Sequence, residues 1–101
     1  MDKTEIIARR ILGWKLNRWD RWYDPETKQF ISVADFQPAH RLEHALMIVN
    51  RLKQTGYDYK VIENHHVCFN GICASGASLA EAITEAAYAI ADNSQVADGW
   101  L

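Results

Sequence analysis

One stretch restricts the fold of this chain more than any other: residues 35–56, D-F-Q-P-A-H-R-L-E-H-A-L-M-I-V-N-R-L-K-Q-T-G. Leu42, Ala45, Leu46, Val49 and Leu52 recur at i, i+3, i+4, i+7 and i+10, which is the stripe of an amphipathic helix. Such a helix needs an apolar surface to lie on, so the rest of the chain must supply one. Pro38 suits a first helical turn, where its missing N–H costs nothing, and Gly56 suits a left-handed cap. The pattern predicts a helix over residues 38–54.

Two further helices follow from the same reasoning. Ile6, Ile7 and Ile11 predict a first helix over residues 2–12, capped by Asp2 or Thr4 and ended by Gly13. Leu79, Ala82, Ile83, Ala86, Ala87 and Ile90 predict a last one, with Ser78 as N-cap and Glu81 three residues on as a capping box. Its alanines suit close packing. Between the first two helices, W-K-L-N-R-W-D-R-W-Y has no clean period, and a D-P-E-T-K turn separates it from Q-F-I-S-V. An irregular hairpin near residues 20–23 and 29–33 is the simplest reading.

After the central helix, Y-D-Y-K-V-I-E reads as a strand with Tyr57, Tyr59 and Val61 on one face and Asp58, Lys60 and Ile62 on the other. Asn64-His65 permits a reversal, and Asn70-Gly71 is the strongest hairpin signal in the chain. A meander of two or three antiparallel strands results. The whole is a single α+β domain over residues 1–101: a small antiparallel sheet with three main helices on its faces, an α-β-α sandwich. Residues 94–101 read as a tail whose Trp100 would dock on the domain or on a neighbouring subunit.

A chain of 101 residues supports one modest core, burying roughly two thirds of its unfolded surface. The formal charge of −2 argues against general nucleic-acid binding, which needs a strongly basic surface. No run of apolar residues is long enough to span a membrane, and residues 1–12 show no cleavage pattern, so a cytosolic protein is expected. In that compartment Cys68 and Cys73 are expected as reduced thiols packed in the core, with pairing across a hairpin as the alternative. Charge is nevertheless uneven. Arg9, Arg10, Lys15, Arg18 and Arg21 crowd one end, whereas residues 77–101 carry acids and no Lys or Arg. The basic end would attract an anion; equally, the two ends are solvated faces or parts of a subunit interface.

Three constellations can carry chemistry. His40-Arg41-Leu42-Glu43-His44 matches an H-x-x-E-H zinc-peptidase string, with both histidines on one helical face and Glu43 as general base. It lacks a third ligand, and two polar residues beside a helical stripe are the plainer reading. His65, His66, Cys68 and Cys73 are soft ligands whose spacing fits a zinc motif poorly, with alternation putting His66 and Cys68 on one strand face. Neither set supports a metal, and no cofactor or catalytic pairing is expected. Trp14, Trp19, Trp22, Tyr23, Phe30 and Phe36 are interleaved with Lys15, Arg18 and Arg21. Aromatic faces stack on bases and guanidinium groups clasp phosphates, but the same residues finish cores and build interfaces. The candidate ligand contacts are Trp14, Arg18, Trp19, Arg21, Trp22 and Tyr23.

At I-A-R-R-I-L-G-W-K-L (residues 7–16) and D-F-Q-P-A-H-R-L-E-H-A-L-M-I-V-N-R-L (residues 35–52) the chain resembles the phage ABA sandwich domain family. The likeness runs through a first helix ending in Gly13-Trp14, the Phe36-Gln37-Pro38 turn, a helix, a strand pair and an alanine-rich last helix from Ser78. It implies a helix–sheet–helix sandwich encoded by a phage or prophage and acting in the host bacterial cytoplasm, and it brings no catalytic residues. By analogy with small phage accessory proteins, the expected function is non-enzymatic binding by a protein that is itself a homo-oligomer. The concrete form is counter-defence by sequestering a nucleotide-like small molecule. The alternatives are a module that inhibits a host defence protein or self-assembles as a homo-oligomer and, more remotely, a zinc hydrolase using His40, Glu43 and His44.

Overall fold

The structure, a computed structural model, describes residues 3–93. The element order is α1 (Lys3–Arg10), β1 (Lys15–Leu16), β2 (Arg21–Asp24), β3 (Gln29–Ser32), α2 (Leu42–Gln54), β4 (Tyr59–Glu63), β5 (His66–Phe69), β6 (Ile72–Ser75) and α3 (Leu79–Asn93). The α+β class and the three helices are as the sequence implies. The strands form two three-stranded antiparallel sheets, in the orders β1-β2-β3 and β4-β5-β6. The second is the meander read from the turn signals. The first adds the short strand β1 to the irregular hairpin.

Helix α3 is the shared wall of the domain. It packs against α1, α2, β5 and β6, and Ala82, Ile83, Ala86, Ala87 and Ala91 are fully buried along it. An apolar helix of small side chains lets neighbours approach closely from several directions. Its start is the expected one: the Ser78 hydroxyl accepts from the Glu81 N–H at 3.1 Å. Glu81 reaches back to the Ala77 N–H at 3.2 Å, one residue before the reciprocal position of a capping box.

Helix α1 spans Lys3–Arg10 and turns off through Gly13, whose φ of 71° lets the Trp14 N–H donate to the Ala8 carbonyl at 2.9 Å. Asp2 lies outside the described residues, as do the 94–101 segment and Trp100. Helix α2 begins at Leu42, four residues later than Pro38 predicts. Pro38–His40 form a turn instead, and Arg41 is extended with φ −126° and ψ 115°, which separates turn from helix. The buried face is also rotated. His44, Ala45, Ile48, Val49 and Leu52 point inward, whereas Leu42 and Leu46 are 43% and 41% exposed.

The second sheet keeps the expected alternation on its central strand. Val67 and Phe69 are fully buried against the helices, and His66 and Cys68 face outward. Asn70-Gly71, with φ of 51° and 88°, closes the β5–β6 hairpin as a two-residue turn. Tyr57 and Tyr59 lie partly buried against the core. Val61, read as their facial companion, is 51% exposed, because α3 covers β5 and β6 but not the edge strand β4. The cysteines correct the sequence reading: Cys68 and Cys73 are bonded to each other as a disulfide on the outward face, neither free nor in the core.

Candidate functional site

The aromatic and basic stretch divides cleanly once folded. Trp14 and Trp22 are 4% and 2% exposed, so these two candidate contacts belong to the core and not to a ligand surface. Trp14 packs on Phe36 with ring centroids 4.8 Å apart. Trp22 forms an inward row with Leu16 on β1 and Ile31 on β3. The physical reason is the two-residue period of a strand, which sends Trp22 to one face of the sheet and Arg21 and Tyr23 to the other.

That other face collects the remaining candidates. Lys15, Tyr23 and Phe30 stand in one cross-strand row, and Tyr23 and Phe30 have ring centroids 5.1 Å apart. Arg21 sits beside them, and the β1–β2 loop brings up Arg18 and Trp19. The Asn17 side chain sets this loop: its Oδ1 accepts from the Trp19 N–H at 2.9 Å and the Arg21 N–H at 3.1 Å. Asp20 completes the reversal with φ 57°. Trp19 is thereby presented 69% exposed, with the Arg18 guanidinium 5.0 Å from its ring centroid.

An open groove of about 570 Å³ lies between Asn17, Trp19, Arg21 and Phe30. Phe30 is 55% exposed along it. Among the described residues Lys15, Arg18 and Arg21 have no carboxylate partner, so their charge is available to an anion. Of the six sequence candidates, the fold brings together Arg18, Trp19, Arg21 and Tyr23. It adds Phe30, Lys15 and Asn17, which were not singled out as contacts. Pairing of Tyr23 with Phe30 across the D-P-E-T-K turn was the signal that could have found Phe30.

The H-x-x-E-H string does not assemble. His40 lies in the turn before α2, exposed, so the two histidines do not share a helical face. His44, read as part of a polar flank, is 9% exposed. Its Nδ1 accepts from the Gln37 N–H at 3.0 Å, and its ring packs 5.3 Å from that of Phe36. Burial, and then the neighbouring Arg41 charge, hold its pKa below 6.5. It anchors the Phe36-Gln37-Pro38 turn to the helix.

Among the described residues the one set of three or more metal-ligating side chains is His66, Cys68 and Cys73. Their donor atoms all lie within 4.8 Å of one another. His65, grouped with them by sequence, stands in the preceding turn with φ 56°.

Residues 5–88 match the family model of the phage ABA sandwich domain. No curated protein and no solved structure matches the chain.

Proposed function

The chain belongs to the phage ABA sandwich domain family, and from that premise we propose a non-enzymatic phage accessory protein that works by binding in the host cytoplasm. Its contact surface is the outward face of the first sheet, and its ligand is a small nucleotide-like signal that it sequesters from a host defence. The observation that carries this reading is the open groove walled by Trp19, Arg21 and Phe30, beside Lys15, Arg18 and Arg21, which have no carboxylate partner among the described residues. Exposed aromatic faces contribute about 1–3 kcal/mol per stacked base. Arg18 and Arg21 supply the planar forks that recognise phosphate oxygens. The net charge of −2 restricts this attraction to one face and disfavours long nucleic acids. No helix of the described residues is long and apolar enough to cross a membrane.

Titration calorimetry and native mass spectrometry with linear and cyclic mono- and oligonucleotides test the proposal. Trp19→Ala and Arg21→Ala should each weaken the best ligand at least tenfold, about 1.4 kcal/mol, without unfolding the protein. If no nucleotide binds, or if both variants bind as the parent does, the ligand assignment is lost.

A second reading is favoured by the openness of the same groove: a flat aromatic and arginine-bearing face also suits a host defence protein, since Trp, Tyr and Arg dominate interface energetics. It predicts that Trp19→Ala abolishes capture of a protein while nucleotides leave the capture unchanged. Self-association is a separate part of the proposal. Val61 and Ile62 are 51% and 54% exposed on β4, whose outer edge is unpaired among the described residues. Sedimentation equilibrium should show a larger species that Val61→Lys returns to the monomer.

A further inference from the structure

We propose that His66, Cys68 and Cys73 form a zinc site that exists only when the cysteine pair is reduced. This site lies on the second sheet and is independent of the binding face of the first. Its geometry comes from the hairpin. The two-residue Asn70-Gly71 turn pairs Phe69 with Ile72 and therefore sets Cys68 directly opposite Cys73, with a Cα–Cα distance of 4.0 Å. His66, two residues before Cys68 on the same strand, projects from the same face. The linear spacing fits a zinc motif poorly because the ligands come from two strands.

The donors suit zinc. Two thiolates and an imidazole form a borderline-soft set that leaves a fourth tetrahedral position to water. Ligands on zinc stand about 3.5–3.8 Å apart, from bond lengths of about 2.3 Å to sulfur and about 2.0–2.1 Å to nitrogen. The three donor atoms already lie within 4.8 Å of one another, so side-chain rotation suffices.

The pair is also placed to change state without disturbing the fold. Cys73 is exposed and Cys68 partly so, whereas the residues that hold this sheet on the core, Val67 and Phe69, lie on the opposite face. The disulfide spans only five positions of a hairpin that its turn and ladder already close, and the shortest loops gain least from cross-linking. In the reducing step, a dithiol reductant becomes a cyclic disulfide. Its two electrons and two protons pass to the two Sγ atoms as the Sγ–Sγ bond breaks. Zn²⁺ then displaces both thiol protons to solvent, gains two Sγ–Zn bonds and accepts the imidazole lone pair of His66. A disulfide oxidant reverses the sequence: the two zinc-bound thiolates pass two electrons to it as the Sγ–Sγ bond re-forms, the oxidant takes two protons from solvent and leaves as two thiols, and Zn²⁺ is released.

The experiment uses the full chain, reduced with a dithiol and desalted without oxygen. Zn²⁺ is then added in competition with a chromophoric chelator, and Co²⁺ serves as a spectroscopic probe. The reduced protein should bind one metal per chain, with thiolate-to-cobalt charge transfer and the intense visible bands of tetrahedral coordination. Adding a disulfide oxidant to the unaltered loaded protein should release it. His66→Asn and Cys73→Ser should each weaken binding more than about 100-fold, beyond the loss typical of groups outside the coordination shell, with circular dichroism confirming that both remain folded. Equal binding by oxidised and reduced protein would overturn the proposal. So would no stoichiometric binding by the reduced protein, or binding that survives both substitutions.

Discussion

The two sheets share a plan and differ in what they expose. Each lays one face on the core, through Trp22, Leu16 and Ile31 in the first and Val67 and Phe69 in the second. Each turns the other face outward. The first sheet is joined by longer loops whose bends fall on Asp20 and Lys28, non-glycine residues at φ 57° and 60°, and it presents Arg and aromatic groups that act without changing state. The second is joined by two-residue turns and presents His66, Lys60 and the Cys68–Cys73 pair, whose sulfurs can exchange one bonding partner for another. Loop-borne side chains offer a surface for a ligand, and a tight hairpin offers fixed distances for a small ion.

The largest test of this comparison sets two tryptophans against each other. Trp22→Ala should destabilise the protein by about 3–5 kcal/mol, the range for emptying a large buried aromatic site. Trp19→Ala should change stability by no more than about 0.5 kcal/mol. Urea denaturation of both variants checks it; equal losses would erase the distinction between inner and outer faces. Reducing the Cys68–Cys73 bond should cost about 2 kcal/mol, at the low end for disulfides, and should leave exchange of the Val67 and Phe69 amides with solvent slow. Loss of that protection would mean that the bond holds the second sheet on the core.

A smaller effect sharpens the loop side of the comparison. Asn17→Ala removes the acceptor of two backbone N–H groups and should cost about 1 kcal/mol. It should also weaken ligand binding while Trp19 itself is intact, as read by calorimetry beside a denaturation curve. The smallest effect is a pH response at His44. Its folded pKa is depressed below 6.5 by burial and by Arg41, so the unfolded chain takes up the proton first. The stability that neutral His44 confers is complete above pH 6.5. It diminishes as pH falls from there through the folded value, where protonation of Nδ1 breaks the bond from the Gln37 N–H. Denaturation midpoints at neutral and mildly acidic pH should show this decline, and His44→Phe should remove it.

Periodic features were legible in the sequence and chemical compensation was not. The stripe of α2 announced a helix, but its phase was misread because His44 counted as polar. Only the fold shows that the Gln37 N–H satisfies its ring and permits burial. Pro38 signalled a helix start and made a turn, since the extended Arg41 intervenes. The Asn70-Gly71 turn already specified that Cys68 faces Cys73, yet an expected reducing compartment argued the other way. Around the first sheet, three tryptophans fall within nine positions, yet Trp14 and Trp22 are buried and Trp19 is exposed. Trp22 lies on a strand whose inward face is set by long-range packing, and Trp19 rides a loop shaped by Asn17, a role that composition does not reveal.

The alanine-lined α3 has a consequence for how such a protein diversifies. Because Ala82, Ala86 and Ala87 are buried in a helix that touches α1, α2 and the second sheet at once, a larger side chain there would push several layers apart together. The outward sheet faces carry no such constraint, so side chains there can change one at a time while the interior stays fixed. The two outward faces, on separate sheets, can therefore vary without repacking the helix that joins them.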